Sequence, residues 1–251
     1  EVIAEVIYAN YGRKEDFEKL QHMGIDISGK IVVARYGGNF RGYKAKFAEA
    51  AGAAGLIIYT DPIDSGYFKG LAYPEGPYYS ESTIQRGSLL TEDFTGDPLT
   101  PYEPALPLDG MIKIKRKKPE DAQLHSIPVT PIGYGAAKEI LGQMNGDVVP
   151  EGWQGGLPFT YRLQGGPDLK VFLEVNQPRE FVRVQNVIGT VKGSLYPNEW
   201  VILGCHLDAW GFGATDPSSG TAMLLSLSET LGKLVTEGKG PKRSILIGHW
   251  D

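Results

Sequence analysis

His206, Asp208 and Asp216 fall within the segment Gly204-Cys-His-Leu-Asp-Ala-Trp-Gly-Phe-Gly-Ala-Thr-Asp-Pro-Ser-Ser-Gly220, and their types suit metal-ion chemistry. A neutral imidazole nitrogen is a good ligand for zinc. Asp208, two positions on, shares the facing of His206 if the strand continues, and could accept the other imidazole N–H and so fix the tautomer. Asp216 follows His206 by ten residues, room enough for a loop to return its carboxylate, and Pro217 restricts it to extended backbone. A carboxylate has two oxygens and can bridge two cations roughly 3.5–4 Å apart, the spacing of two-metal hydrolases. The same residues also admit a plainer account. His-X-Asp at a strand end can be a hydrogen-bonded pair, and Asp-Pro-Ser-Ser-Gly can be a turn in which Asp216 or Ser218 caps a helix.

The elements around this segment must do the positioning. An apolar strand, Trp200 to Gly204, precedes it, and a helix from Ser218 to Val235 follows, with Met223, Leu224, Leu227, Leu231 and Leu234 as an apolar stripe. Ser244 to Gly248 reads as the next strand, and Asn186 to Lys192 as an earlier one, joined to 200–204 by a turn containing Pro197-Asn198. In open α/β sheets the carboxyl ends of strands are where sites are built. Upstream, Val6 to Tyr11, Lys30 to Tyr36 and Leu56 to Tyr59 read as strands, and the Ala-rich stretch Gly42 to Ala54 as a helix between the last two. Gly133 to Met144 reads as a helix with Thr130 as its cap and Pro131 in the first turn, and Lys170 to Val175 as a strand. Residues 61–110 are crowded with Pro, Gly and Tyr, a length of loop that usually has a function or a docking surface. The pattern predicts an α/β chain in two parts, 1–180 and 181–251, the second with a mostly parallel sheet covered by helices.

Composition narrows the alternatives. The chain has 251 residues, 41% of them hydrophobic and 22% charged, with a net charge of −5, which excludes a broad nucleic-acid-binding surface. The basic run Lys113 to Lys118 reads as a solvated face. No stretch approaches the roughly 20 apolar residues that span a bilayer, and no secretory signal is visible. The first residue is Glu1, so the natural amino terminus is expected to lie upstream. Cys205 is the sole cysteine, which excludes an intrachain disulfide and any metal site built from several thiolates. A metal here must sit on His and carboxylates.

The 204–220 segment resembles the first metal-binding motif of the zinc exopeptidases related to glutamate carboxypeptidase II, a family that also includes the non-peptidase transferrin receptor. The likeness extends through Tyr8 to Gly29, Lys30-Ile-Val-Val-Ala-Arg-Tyr-Gly37, Phe40-Arg-Gly42, Gly96-Asp-Pro-Leu-Thr-Pro101 and Ser126-Ile-Pro-Val-Thr-Pro-Ile-Gly133, which look like the family's protease-associated domain. Asn186-Val-Ile-Gly-Thr190 and Trp250-Asp251 match as well. The resemblance implies a β-rich α/β protease-associated domain followed by the incomplete start of an α/β/α zinc-peptidase sheet. By the same resemblance His206 is a zinc ligand, Asp216 bridges two zinc ions, and Asp208 supports His206. Arg41 matches an arginine that contacts the substrate's terminal carboxylate, and Tyr78 stands where the family enzyme has an asparagine that reads a glutamate side chain. Thr100 resembles a structural calcium ligand, although the family's next ligand, a Tyr, falls on Glu103.

The resemblance further implies a peptide or peptide-like substrate, an extracytoplasmic location and a homodimeric parent. The family's general-base Glu and remaining ligands would follow Asp251, so no catalytic base is expected within this chain, and the chain alone is expected to be inactive. His249 is expected to pack or hydrogen-bond on the last strand. Two other readings stay open: a non-catalytic receptor or interaction module of the transferrin-receptor kind, and a metal-free α/β binding domain.

Overall fold

The computed structural model describes residues 1–251, and the chain divides into two compact units, Glu1–Pro178 and Arg179–Asp251. In the first unit β1 (Val2–Tyr8) leads through α1 (Lys14–His22) to β2 (Ile31–Arg35), and β2 through α2 (Arg41–Ala50) to β3 (Gly55–Tyr59). The short helix α3 (Pro62–Ser65), β4 (Val129–Ile132), α4 (Tyr134–Leu141) and β5 (Lys170–Leu173) complete it. The strands form one sheet in the order β4-β3-β2-β1-β5, parallel from β1 to β4, with β5 antiparallel on β1. β2 and β3 are buried at every position, as expected of strands that read as unbroken apolar runs and are covered on both faces. α1 buries Phe17 and Leu20, and α2 buries Ala45 and Ala48, whose small side chains let the helix approach closely.

Thr130 and Pro131 do not start a helix. They lie in β4, opposite Ile57 and Ile58 of β3, and α4 begins only after Gly133. Tertiary pairing overrides the local signal here. β4 is the edge strand of the sheet, where a proline's missing N–H is tolerated.

The core of this unit also encloses polar groups. Asp61 is fully buried. One carboxylate oxygen accepts from the hydroxyls of Tyr59 at 2.9 Å and Tyr161 at 2.5 Å, the other from the amides of Ile63 at 3.0 Å and Gly156 at 2.7 Å. Burial and then the Asp61 charge push the Tyr161 hydroxyl well above its usual range, so it stays a donor. Arg35, also buried, donates to Asn10 Oδ1 at 2.6 Å and stacks its guanidinium 4.1 Å from the Tyr11 ring centroid. Lys44 is buried on α2, and its ammonium donates to the carbonyls of Tyr11 and Gly37 and to Asn39 Oδ1, the last two at 2.7 Å.

In the second unit β6 (Val187–Val191), β7 (Tyr196–His206), α5 (Ser218–Thr236) and β8 (Arg243–Trp250) follow in order. The sheet order is β6-β8-β7, with β8 central, parallel to β7 and antiparallel to β6. β6 and β7 are therefore not a hairpin. Pro197 belongs to β7, whose register shifts between Tyr196 and Trp200, and β8 inserts between the two strands. β7, α5 and β8 form a crossover unit that places His206 at the carboxyl end of a parallel strand. No helix of the chain is long and apolar enough to cross a membrane.

Candidate metal centre

β7 stops at His206, where His206 pairs with Trp250 of β8 and the next amide, Leu207 N–H, donates to the Trp250 carbonyl at 2.6 Å. Trp250 fits only because two neighbours lack side chains: a Cβ on Gly204 or Gly248 would collide with its indole. From α5, Thr221 Oγ1 donates to the His206 carbonyl at 3.2 Å. Strand pairing and a helix hydroxyl thus hold the imidazole's backbone from two directions. Thr221 and Trp250 are positioning contacts that the motif's ligand spacing did not bring out, although the glycine pair flanking the indole's position was a readable signal.

Beyond the strand end the chain turns back twice. Asp208 no longer lies on a strand, yet its Oδ1 is 3.0 Å from His206 Nδ1. Asp216 returns from ten residues away to set Oδ1 2.8 Å from His206 Nε2, across a cis Asp216–Pro217 peptide. The plainer account of Asp216 and Ser218 as helix caps does not describe this geometry. Pro217 is the N-cap residue of α5, no side chain caps that helix, and the Asp216 carboxylate faces the imidazole instead. All three side chains are open to solvent, Asp216 at 85% exposure. The hydrogen bond to Asp208 leads the causes that raise the His206 pKa above 6.5, with Asp216 adding to it against some loss of solvation.

As a donor set, the triplet offers one nitrogen and carboxylate oxygens at an accessible strand end, the kind of set that suits a borderline cation such as zinc. The carboxylate on Nδ1 would direct Nε2, which here faces Asp216, toward a metal. The residues fit a partial metal site. No group of three or more His, Cys, Asp or Glu side chains is arranged to hold an ion. His249 is buried on β8, with Nδ1 3.5 Å from Cys205 Sγ, which is a packing role.

Arg41 and Tyr78 belong to the first unit. Arg41 opens α2, with its guanidinium 5.2 Å from the Phe40 ring centroid and its Nε buried without a partner. The Tyr78 ring packs against Gly70, and its backbone pairs with Leu71 and Tyr73. Thr100 is buried with its hydroxyl oxygen unpartnered, an atom free to face an oxygen-seeking cation. Glu103 is exposed.

Family comparison agrees with this architecture. Residues 2–89 match the PA domain, and residues 186–251 match Peptidase family M28. The first unit is thus similar to a PA domain and the second to Peptidase family M28. It is 37% identical over 260 residues to a glutamate carboxypeptidase 2 homolog of Caenorhabditis briggsae, an alignment covering 100% of this chain and 33% of that protein. Aminopeptidase NAALADL1 of Rattus norvegicus is 38% identical over 260 residues, covering 98% of this chain and 34% of the relative. Transferrin receptor protein 2 of Mus musculus is 34% identical over 248 residues, covering 98% and 29%. The chain spans about a third of the length of these relatives.

Proposed function

We propose that this chain is the PA domain and the opening of the peptidase domain of a two-zinc exopeptidase that cleaves peptide bonds near a chain terminus. One observation carries the reading: the Asp216 carboxylate lies 2.8 Å from His206 Nε2 instead of capping the helix that follows. His206 and Asp216 would hold zinc, and Asp208 would orient the imidazole. Zinc, when bound, would supply the Lewis-acid chemistry of hydrolysis. The remaining steps belong to side chains. Arg41 would bind a substrate carboxylate by a forked pair of hydrogen bonds, and Tyr78 would offer a hydroxyl to the terminal side chain. A base to take the water's proton, and further ligands, would come from sequence outside this chain, which alone would not turn over. Calcium at Thr100 would need other oxygen donors, and no step depends on it. An extracytoplasmic, homodimeric parent fits the same reading.

The test is zinc content and peptidase rate of the full-length protein, with His206→Ala and Asp216→Ala. Each substitution is expected to remove most of the bound zinc and to lower the rate at least about 100-fold. Unchanged zinc and rate in both variants would overturn the site. A wild-type protein that binds zinc without hydrolysing peptides would instead mark a receptor.

A further inference from the structure

His125 lies just before β4, and both of its ring nitrogens face oxygens. Nε2 is 2.9 Å from the Leu89 carbonyl, and Nδ1 is 3.4 Å from Glu49 Oε2 on α2. A carbonyl only accepts, so Nε2 must carry a proton. Glu49 is held in turn by Ser126, whose amide at 2.9 Å and hydroxyl both donate to Oε1. Burial pushes the Glu49 carboxyl up, but Ser126 and His125 outweigh it and leave the group below the usual range. The imidazole thus sits between two acceptors, one on the stretch that ends at Leu89 and one on α2.

The Leu89 carbonyl lies against Gly42, the residue after Arg41. It occupies the space that a Cβ on Gly42 would fill, and the Arg41 guanidinium occupies the space of a Cβ on Gly87. Residues 87–89 thus lie directly on the first turn of α2, and neither glycine can carry a side chain without moving them. At the other end of the stretch, the Tyr36 hydroxyl donates to the Gln85 carbonyl at 2.9 Å. Glu49 from α2 faces the imidazole; Arg41 and Arg86 act electrostatically on Tyr36, whose hydroxyl anchors the stretch.

We infer that His125 is a positioning residue, which by bridging the Leu89 carbonyl and Glu49 fastens residues 87–89 against the first turn of α2 and the Arg41 guanidinium. The inference rests on the reading of Arg41 as the carboxylate-binding group.

The experiment compares NMR spectra of the isotopically labelled chain with those of His125→Leu and His125→Gln. It follows the amides of residues 88–90 and the Arg41 Nε–H. In His125→Leu, which hydrogen-bonds to neither oxygen, these signals are expected to shift while the rest of the spectrum stays native. In His125→Gln, which keeps a donor for the Leu89 carbonyl, they are expected to shift less. Signals that keep their wild-type positions in His125→Leu, or that move equally in both variants, would overturn the inference. A short acetylated peptide with a free carboxyl terminus separates the two readings. If it leaves Arg41 unmoved while the His125→Leu shifts persist, the carboxylate role of Arg41 fails and the clasp stands; if it shifts Arg41 while His125→Leu moves nothing, the clasp alone fails.

Discussion

In the first unit the Asp61 carboxylate is sealed from water and meets four donors within the protein. In the second, His206, Asp208 and Asp216 hydrogen-bond to one another at a solvent-exposed strand end. The same chemical types therefore have opposite roles. Inside the first unit each polar atom of Asp61 is satisfied for good, and a ligand could enter only by breaking those bonds. At the end of β7 the carboxylates meet His206 and solvent, in contacts that a cation could replace without unfolding anything. The apolar residues divide in the same way. The buried core of the first unit includes most of β1, β2 and β3, whereas Pro217, Leu224 and Ile247 are the buried apolar side chains of the second. A polar cluster is a candidate site where the surroundings leave it open, and a structural element where they close it.

Substitutions can break this contrast, starting with the strongest. Asp61→Ala leaves four buried donors without an acceptor and is expected to destabilise the first unit by about 3–5 kcal/mol, read as a lower urea midpoint. A loss below about 1 kcal/mol would mean that the cluster is not the closed network described. Lys44 tests the interior through pH. Three oxygens hold its proton, but burial dominates and lowers its pKa to about 7 from 10.5. Between those values the unfolded chain binds more protons than the folded one, so stability rises with pH, by up to about 1.4 kcal/mol per pH unit from this group, and is flat below about 7. Urea unfolding at pH 7 and 9.5 should show the rise in wild type and a smaller one in Lys44→Met. Equal slopes would show that the ammonium is not desolvated as its burial implies.

The open cluster should respond differently. Asp208→Asn keeps the shape but removes the charge on Nδ1, and is expected to weaken zinc binding by the full-length protein about 10- to 100-fold, with no change in the unfolding of the first unit. Calorimetric titration with zinc would reveal a change smaller than twofold, which would sink the orienting role. The smallest effect belongs to Lys233, whose pair with Glu229 one turn back on α5 is exposed on both sides. Lys233→Ala is expected to cost no more than about 0.5 kcal/mol, and a larger loss in thermal melts would show that the outer face of α5 is not simply solvated.

Where local pattern decides structure, the sequence was readable. The β-branched runs around Val32 and Ile57 became buried parallel strands, and the apolar stripe after Ser218 became α5 (Ser218–Thr236). Legibility failed where a distant partner decides. Pro131 pairs with Ile58, and β8 from the end of the chain separates β6 from β7; neither partner is visible in a short window. Around the candidate site, the spacing of His206 and Asp216 announced that their side chains could meet, and they do. It could not announce Thr221, which reaches His206 through one hydroxyl, or the Tyr161–Asp61 bond, which joins residues a hundred positions apart.

The indole of Trp250 gives the second unit a built-in optical gauge. It is seated between two glycines on adjacent strands, and the carbonyl of the same residue carries the amide next to the imidazole. Its emission would therefore respond to small displacements at the strand end, and the other three tryptophans could be replaced by phenylalanine to isolate that signal. Occupancy could then be followed in real time, with no label attached.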